Sequence, residues 1–419
     1  MQQPTINRER LFLASCIALV VTAMTLAIRA GILGQLGEEF QLSNTQLGWI
    51  NAMAFFGFPV AMLIGGPLCD VVGMGRLLIL AFFAHLLGLT LTIFAGGFWT
   101  LFISTFFIGF ANGMVEAACN PLVTAMYSSN KTKMLNRFHM WFPGGLVIGG
   151  LVSYFLSKAG IGWEVQIATM ILPTLIYGMM FFGQKFPQTE RVATGITTAQ
   201  MLKACTSPLY LLMIFCMLLS ATTELGTNQW IAKIMENTTD NAVLLIVFIS
   251  GIMALGRYFA GPVEKALSPT LMLLFSAVFA AIGLYWLSHV QGNTAFLAAG
   301  IFAIGVCYFW PTMLGFVAEY IPRSGALGLS LIGGAGMFAT SLFNPILGYF
   351  LDKNREQALA QGLDQASAEL KAGQDSLSYV VIFPVILIII FFLLYLNRRK
   401  YEGNTMHGNT VPPQSTVVA

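Results

Sequence analysis

The sequence predicts an all-α membrane protein, with twelve transmembrane helices in two pseudo-symmetric six-helix bundles. Three observations carry this reading. Of 419 residues, 57% are apolar and only 9% are charged, where soluble domains hold about 25% charged residues. Apolar runs of the ~20 residues needed to cross a bilayer recur along the whole chain. Glycine and proline landmarks recur at nearly constant offsets between the two halves. Gly66-Pro67 matches Gly261-Pro262 at 195, Asn120-Pro121 matches Trp310-Pro311 at 190, and Gly144-Gly145 matches Gly333-Gly334 at 189.

The expected spans are Leu11–Leu36, Leu47–Leu68, Leu77–Ala95, Phe98–Tyr127, Phe138–Ser157, Val165–Phe186, Pro208–Ile234, Ala242–Gly261, Pro269–Leu287, Thr294–Tyr320, Ala326–Leu351 and Tyr379–Leu396. The first is read as a retained helix, because a signal peptide has a shorter apolar core and a small-residue cleavage site. The spans group into an N-terminal bundle over 1–186 and a C-terminal bundle over 208–400. A polar cytosolic linker over 187–207 joins them. The segment 352–378, with the pattern REQALAQGLDQASAELKA, reads as a short surface helix outside the membrane. The tail 401–419 is polar, carries Pro412-Pro413, and is expected to be disordered.

Lys and Arg orient the spans. Fifteen of the 21, Arg76 and Arg257 among them, fall on the side of the termini; Lys158, Lys233, Lys353, Arg355 and Lys371 fall on the other, and Arg29 lies in the membrane. Both termini are therefore expected in the cytoplasm, with the protein integral to the plasma (inner) membrane. The net charge of +3 gives no case for a nucleic-acid partner. The six Cys show no CxxC spacing and read as small apolar packing residues rather than disulfides or zinc ligands.

Charges deep in spans are costly and mark function. Three stand out: Arg29, Glu116 and Glu224. Asn112, Glu116 and Asn120 recur every fourth residue and share one face of the fourth span, which suits a polar cavity rather than lipid. Their amides and carboxylate match sugar hydroxyls. Trp141, Trp230 and Trp310 offer rings to the apolar face of a pyranose, with core packing or an interfacial belt as the competing reading. His139 stands near the cytosolic mouth, as a ligand or a helix-start cap, and His85 reads as a packed neutral histidine. Arg29 and Glu224 are 195 residues apart, as one landmark pair is. They are expected to join as a gate at the outer ends of spans 1 and 7. Snorkelling of Arg29 and its pairing with Glu116 compete with that.

The string Gly65–Arg76, GGPLCDVVGMGR, resembles the G-x-x-x-D-x-x-G-x-x-R signature of the major facilitator superfamily. The resemblance implies that Asp70 and Arg76 help hold the cytosolic side shut. The second half keeps Arg257 and Gly261 at the matching place but has Lys265 where Asp70 stands.

Within that superfamily the chain resembles the fucose–proton symporter family and its glucose-transporting relatives. Gly113–Thr124 is similar to G-x-x-E-x-x-x-N-P-x-V-T, and Leu135-Asn136 with His139 to LN-x-x-Q. Glu224–Trp230 is similar to E-x-G-x-x-x-W, and Phe309–Gly325 to F-P-T-x-x-S/G followed by P-x-x-G. The resemblance implies an importer of a neutral sugar, a hexose such as glucose or galactose, driven by a cation gradient, with a proton favoured over sodium. Fucose symporters carry an Asp in the first helix, where this chain has only Arg29. The expected substrate ligands are Asn112, Glu116, Asn120, His139, Trp141, Glu224, Asn228, Trp230, Trp310 and Asn344, with Glu116 as the proton-coupling group. No cofactor or metal is expected, and a monomer is the expected working unit. An efflux or uptake carrier for another metabolite or drug is the alternative. No HExxH, GxSxG or P-loop points to an enzyme.

Overall fold

The computed structural model describes residues 6–127, 134, 137–187, 198–239, 241–259, 263, 266–290 and 292–398. Its regular structure is helical throughout. The first half holds α1 (Arg8–Glu39), α2 (Asn44–Val72), α3 (Met74–Ile93), α4 (Phe98–Met126), α5 (Trp141–Lys158), α6 (Trp163–Ala168) and α7 (Ile171–Phe181). The second holds α8 (Thr198–Cys205), α9 (Pro208–Ala221), a π-helical turn (Thr222–Gly226), α10 (Thr227–Ile234) and α11 (Ala242–Tyr258). It continues with α12 (Pro269–Leu287), α13 (Ala295–Val306), α14 (Phe309–Tyr320), α15 (Gly325–Ala360), α16 (Gln365–Val380) and α17 (Ile382–Leu396). Among the described residues, 11 helical stretches are long and apolar enough to cross a membrane, and the shorter apolar α11 sits on the eighth expected span.

Local chemistry explains most of the boundaries. Ser43 starts α2 with a complete capping box through Gln46, which satisfies two otherwise orphaned donors. Ser207 and Ser268 cap α9 and α12, each followed by a proline in the first turn, where a missing N–H costs nothing. Between α2 and α3 the chain turns at Gly73 with φ 86°, a conformation that favours glycine. That turn accounts for one glycine of the signature.

Among the described residues, several spans are interrupted. The sixth breaks after α6 at Thr169–Met170, the seventh contains the π turn, and the tenth breaks at Cys307–Tyr308. The segment after the eleventh span is not a short surface helix. α15 runs on to Ala360, and α16 returns with Ala368, Ala372, Gly373, Ser376 and Leu377 buried. Gly373 of α16 lies close against Ile234 of α10, and Asn354 Nδ2 of α15 donates to Ser376 Oγ of α16 at 3.1 Å. Gly261, Pro262, Lys131, Lys133, Leu135, Asn136 and Lys265 lie outside the described residues, as do 188–197 of the linker and the tail 401–419.

The end where α1 begins and α17 finishes is here the terminal end; the opposite one is the distal end. At the distal end the two halves are locked together. Asp352 of α15 accepts hydrogen bonds from the backbone N–H of Asn44 (3.1 Å), and from the N–H (2.8 Å) and Oγ1 (2.7 Å) of Thr45, so it caps α2 from the other half. Gly48 allows this approach. A Cβ there would stand 2.5 Å from the Asn344 carbonyl. Val247 of α11 packs on Gly150 of α5, Tyr154 Oη donates to Asn241 Oδ1 at 3.2 Å, and Gln229 Nε2 reaches the Leu26 carbonyl at 3.4 Å. Among the described residues, the hydrogen bonds between the halves gather at this end.

Candidate substrate and coupling site

The first cluster lies on α4 and the helical residues 137–139 just before α5. Asn120 Nδ2 donates to Glu116 Oε2 at 2.7 Å. His139 Nε2 donates to Asn120 Oδ1 at 2.9 Å and lies 4.0 Å from Glu116 Oε2. Helical spacing puts Glu116 and Asn120 one turn apart, so the amide bridges acid and imidazole. The His139 side chain is 42% exposed and the Glu116 side chain 11%, so the set has access to solvent at one edge. Pro121 lies inside the continuous α4; its missing N–H leaves the helix locally less tied.

Asn112 shares the face but not the role. It is 2% exposed. Its Nδ2 donates to Thr25 Oγ1 at 3.0 Å, its Oδ1 lies 2.7 Å from His85 Nε2, and His85 Nδ1 lies 2.7 Å from Tyr177 Oη. Each member of this buried chain satisfies the next, which ties α7, α3, α4 and α1 together. Asn112, an expected substrate ligand, is thus bonded to Thr25 and His85 in this structure. Its polar groups are engaged within the first half.

The second cluster centres on Glu224. The π turn carries it, and such bulges re-aim side chains and often mark functional positions. Glu224 Oε1 lies 3.3 Å from Arg257 Nη2, with side-chain exposures of 4% and 17%. Arg257 Nε donates to the Cys307 carbonyl at 3.0 Å. That carbonyl is free for a clear reason. Its helical donor would be the N–H of residue 311, which is a proline. Arg257 thus closes the gap at the break in the tenth span and holds the carboxylate of the seventh. Glu224 Oε2 has no hydrogen-bond partner among the described residues.

The expected Arg29–Glu224 gate is not formed, although the distal ends are closed. Glu224 is held by Arg257 from its own half. Arg29 is buried inside the first half, with Nε and Nη2 unpartnered among the described residues. Arg257, counted as a loop charge from sequence, lies on α11, one residue before its end. The signals that could have found it are a lone arginine closing an apolar helix and a proline four residues after Cys307.

Trp230 is fully buried and donates from Nε1 to Asn344 Oδ1 at 2.9 Å. Asn344 in turn donates to the Thr340 carbonyl at 2.8 Å. Both expected ligands therefore satisfy each other in the core. Asn228 is 7% exposed, and its two amide atoms are buried with no hydrogen-bond partner among the described residues. Trp310 is half-buried, with its ring over Gly336. Trp141 opens α5 and is 38% exposed. Arg76, in the first turn of α3, is exposed. The Asp70 side chain lies outside what the structure describes. All six cysteines are buried and free.

Comparison with known proteins gives this geometry its setting. Residues 13–343 match the model of the Major Facilitator Superfamily. A putative transporter SVOPL of Mus musculus is 29% identical over 188 residues, 43% of this chain and 36% of that protein. A D-xylose transporter of Levilactobacillus brevis is 24% identical over 155 residues, 37% of this chain and 34% of that protein. The match thus spans about a third of the length of these two relatives.

Among solved structures, the chain is similar to a bacterial homolog of the human lysosomal transporter Spinster in an inward-facing, unoccupied conformation. The TM-score is 0.74 at 15% identity, covering 95% of this chain and 98% of that one. It is also similar to a D-xylose–proton symporter, with TM-score 0.72 at 15% identity, covering 90% and 97%. At such identities the likeness speaks for the fold alone. An integral membrane carrier fold and a family match over most of the chain agree, and the chain belongs to the major facilitator superfamily.

Proposed function

We propose that the protein is a secondary active importer of a neutral hexose, coupled to a proton gradient. The observation that carries this reading is the Glu116–Asn120–His139 set, a carboxylate, an amide and an imidazole joined at 2.7 and 2.9 Å. An amide and a carboxylate together accept from and donate to vicinal hydroxyls. A carboxylate within 4.0 Å of an imidazole also has a group from which to take a proton and to which to return it. Proton uptake removes a charge from the bundle interior before the halves rock, which is the step that charge opposes. Sugar and proton are thereby bound to the same face of α4 and travel together.

In this reading the second half supplies the opposing wall. Asn228 offers an unengaged amide, Trp310 an accessible ring, and Arg257–Glu224 a fixed pair that sets the shape of the broken tenth span. Alternating access proceeds by opening the distal contacts at Asp352 while the terminal end closes. The 15-to-5 division of basic residues supports an orientation with the terminal end in the cytoplasm of a plasma (inner) membrane.

A carrier for another small metabolite is the second reading. One observation favours it: a curated relative is a putative niacin/nicotinamide transporter NiaP of Bacillus subtilis, 24% identical over 179 residues, as near in sequence as the D-xylose transporter. Uptake of radiolabelled hexoses into proteoliposomes separates the two. Saturable hexose uptake that rises with an acid-outside pH gradient, and not with a sodium gradient, is the expected result. Uptake of nicotinamide but of no hexose would replace the first reading by the second.

A further inference from the structure

Asn51 is a polar side chain sealed away from water. It is 0% exposed, and neither Nδ2 nor Oδ1 has a hydrogen-bond partner among the described residues. Its neighbours on α2 fix the direction it faces. Trp49, Leu63 and Ile64 are exposed along one side of the helix. Gly48 and Pro59 lie against Asn344 and Gly334 of α15, and Ala54 and Phe58 against Gly109 and Gly113 of α4. With about 3.6 residues per turn, Asn51 falls between the two packed stripes and opposite the exposed one. It therefore points inward, between α4 of its own half and α15 of the other.

The second half holds a matching case. Asn228 of α10 is buried with both amide atoms unpartnered among the described residues. On the same turn of α10, Gln229 reaches the Leu26 carbonyl of α1 and Trp230 reaches Asn344 of α15. Gly48 abuts the Asn344 carbonyl, so α2, α15 and α10 converge at this residue. A buried amide without a partner destabilises the state that buries it, whereas an apolar side chain of the same shape does not. Here that state is the one with the distal end closed.

We propose that Asn51 is a substrate ligand of the distal-open state, where its amide binds a sugar hydroxyl and helps set which hydroxyl pattern is accepted. The assignment rests on the hexose reading above. When the distal end opens, α2 parts from α15 and α10 from α1. Asn51 and Asn228, one from each half, then meet the entering sugar. Each amide can accept from one hydroxyl and donate to another. Closing without sugar buries these amides unpaired; closing with sugar buries them paired. The same residues thus read the substrate and favour closure of the loaded carrier over the empty one.

The test compares wild type with Asn51→Leu, which keeps the branched shape and removes the amide. Without sugar, the purified full-length variant should melt about 2 °C or more above wild type. Thiol labelling of Ser341→Cys, a buried position of α15, should be about fivefold slower in the Asn51→Leu background. A lower midpoint or faster labelling overturns the inference, because the amide would then serve the closed state. With sugar, uptake of glucose and of its monodeoxy analogues into proteoliposomes is measured. Removing the hydroxyl that Asn51 reads should cost wild type about fivefold or more in apparent affinity, and that loss should vanish in Asn51→Leu. If this variant does not fold, Asn51→Ala takes its place in the sugar comparison. Equal losses across the whole series in wild type and variant overturn Asn51 as a ligand and leave the hexose reading standing. Absence of saturable hexose uptake by wild type overturns the hexose reading itself, and this assignment with it.

Discussion

Arg257 and Glu224 form the ion pair that organises the second half, at 3.3 Å between Nη2 and Oε1, while the Nε of the same guanidinium holds the Cys307 carbonyl. One planar group thus joins the π turn of the seventh span to the break of the tenth. Lysine, a single point donor, does not reproduce this geometry.

Breaking the pair should be costly because both charges are shielded from water. Arg257→Ala or Glu224→Ala leaves the other charge unpaired, an expected loss of about 3–5 kcal/mol in stability. The double variant Glu224→Gln with Arg257→Gln should recover part of it. A double-mutant cycle by thermal unfolding, with coupling below about 0.5 kcal/mol, would contradict the role given to the pair.

Pro311→Ala is a subtler probe of the same cluster. It restores the N–H that the Cys307 carbonyl lacks, so the carbonyl no longer depends on Arg257. Substrate affinity should change while the thermal midpoint holds or rises. A variant with unaltered transport kinetics would show that the break at Cys307–Tyr308 does not shape the cavity.

Asp352 caps α2 from the opposite half through Asn44 and Thr45. A lost cap of this kind costs about 1 kcal/mol, and here the whole loss falls on the closed distal state. Asp352→Ala should therefore populate distal-open conformers. The buried native cysteines give a low background for a reporter placed at Ser341, which is buried in the closed state. Thiol labelling of Ser341→Cys should quicken about fivefold in the Asp352→Ala background. Equal rates in both backgrounds would remove Asp352 from the gate.

Glu236 adds a pH dependence at the same end. It lies just beyond α10, with its carboxylate over Gly34 of α1 in the other half. Burial raises its pKa above the usual carboxylate range; Lys233 opposes the shift, and Glu38 and Glu369 add to it. A carboxyl group with a raised pKa in the closed state favours that state when protonated. The closed distal end should thus be firmest at acid pH and loosen as pH rises through the raised value. Labelling of the Ser341→Cys reporter should increase over that window. Glu236→Gln should flatten the profile at the slow, acid-side rate. A fast, pH-independent rate in Glu236→Gln would reverse the sign and refute the assignment.

The spans were legible in the sequence because membrane burial leaves a coarse signal, long apolar runs. The interruptions were not. The π turn at Thr222–Gly226 lies inside one uninterrupted helical stretch, so the length of the span passes over it. The sequence groups Glu116 with Asn120 on one face of the fourth span and offers His139 separately; the structure joins the three. Asn112 and Asn344 look available because they are polar residues in apolar spans, and Trp230 reads either as a ring for a sugar or as core; each finds its partner on another helix, which one sequence does not reveal. The Arg29–Glu224 pairing failed for the same reason. Matching offsets placed both residues on equivalent spans, but the direction of each side chain depends on helix rotation and, for Glu224, on the π turn.

The central claim is that Glu116 couples proton to sugar, and Glu116→Gln tests it most directly. Glutamine keeps the size and the acceptor oxygen for Asn120 but cannot exchange a proton. Two assays on the same proteoliposomes are needed: hexose accumulation driven by a pH gradient, and sugar-for-sugar counterflow without one. The account predicts that accumulation falls to the level without a gradient while counterflow persists within about threefold of wild type. Gradient-driven accumulation by Glu116→Gln at the wild-type level would contradict it.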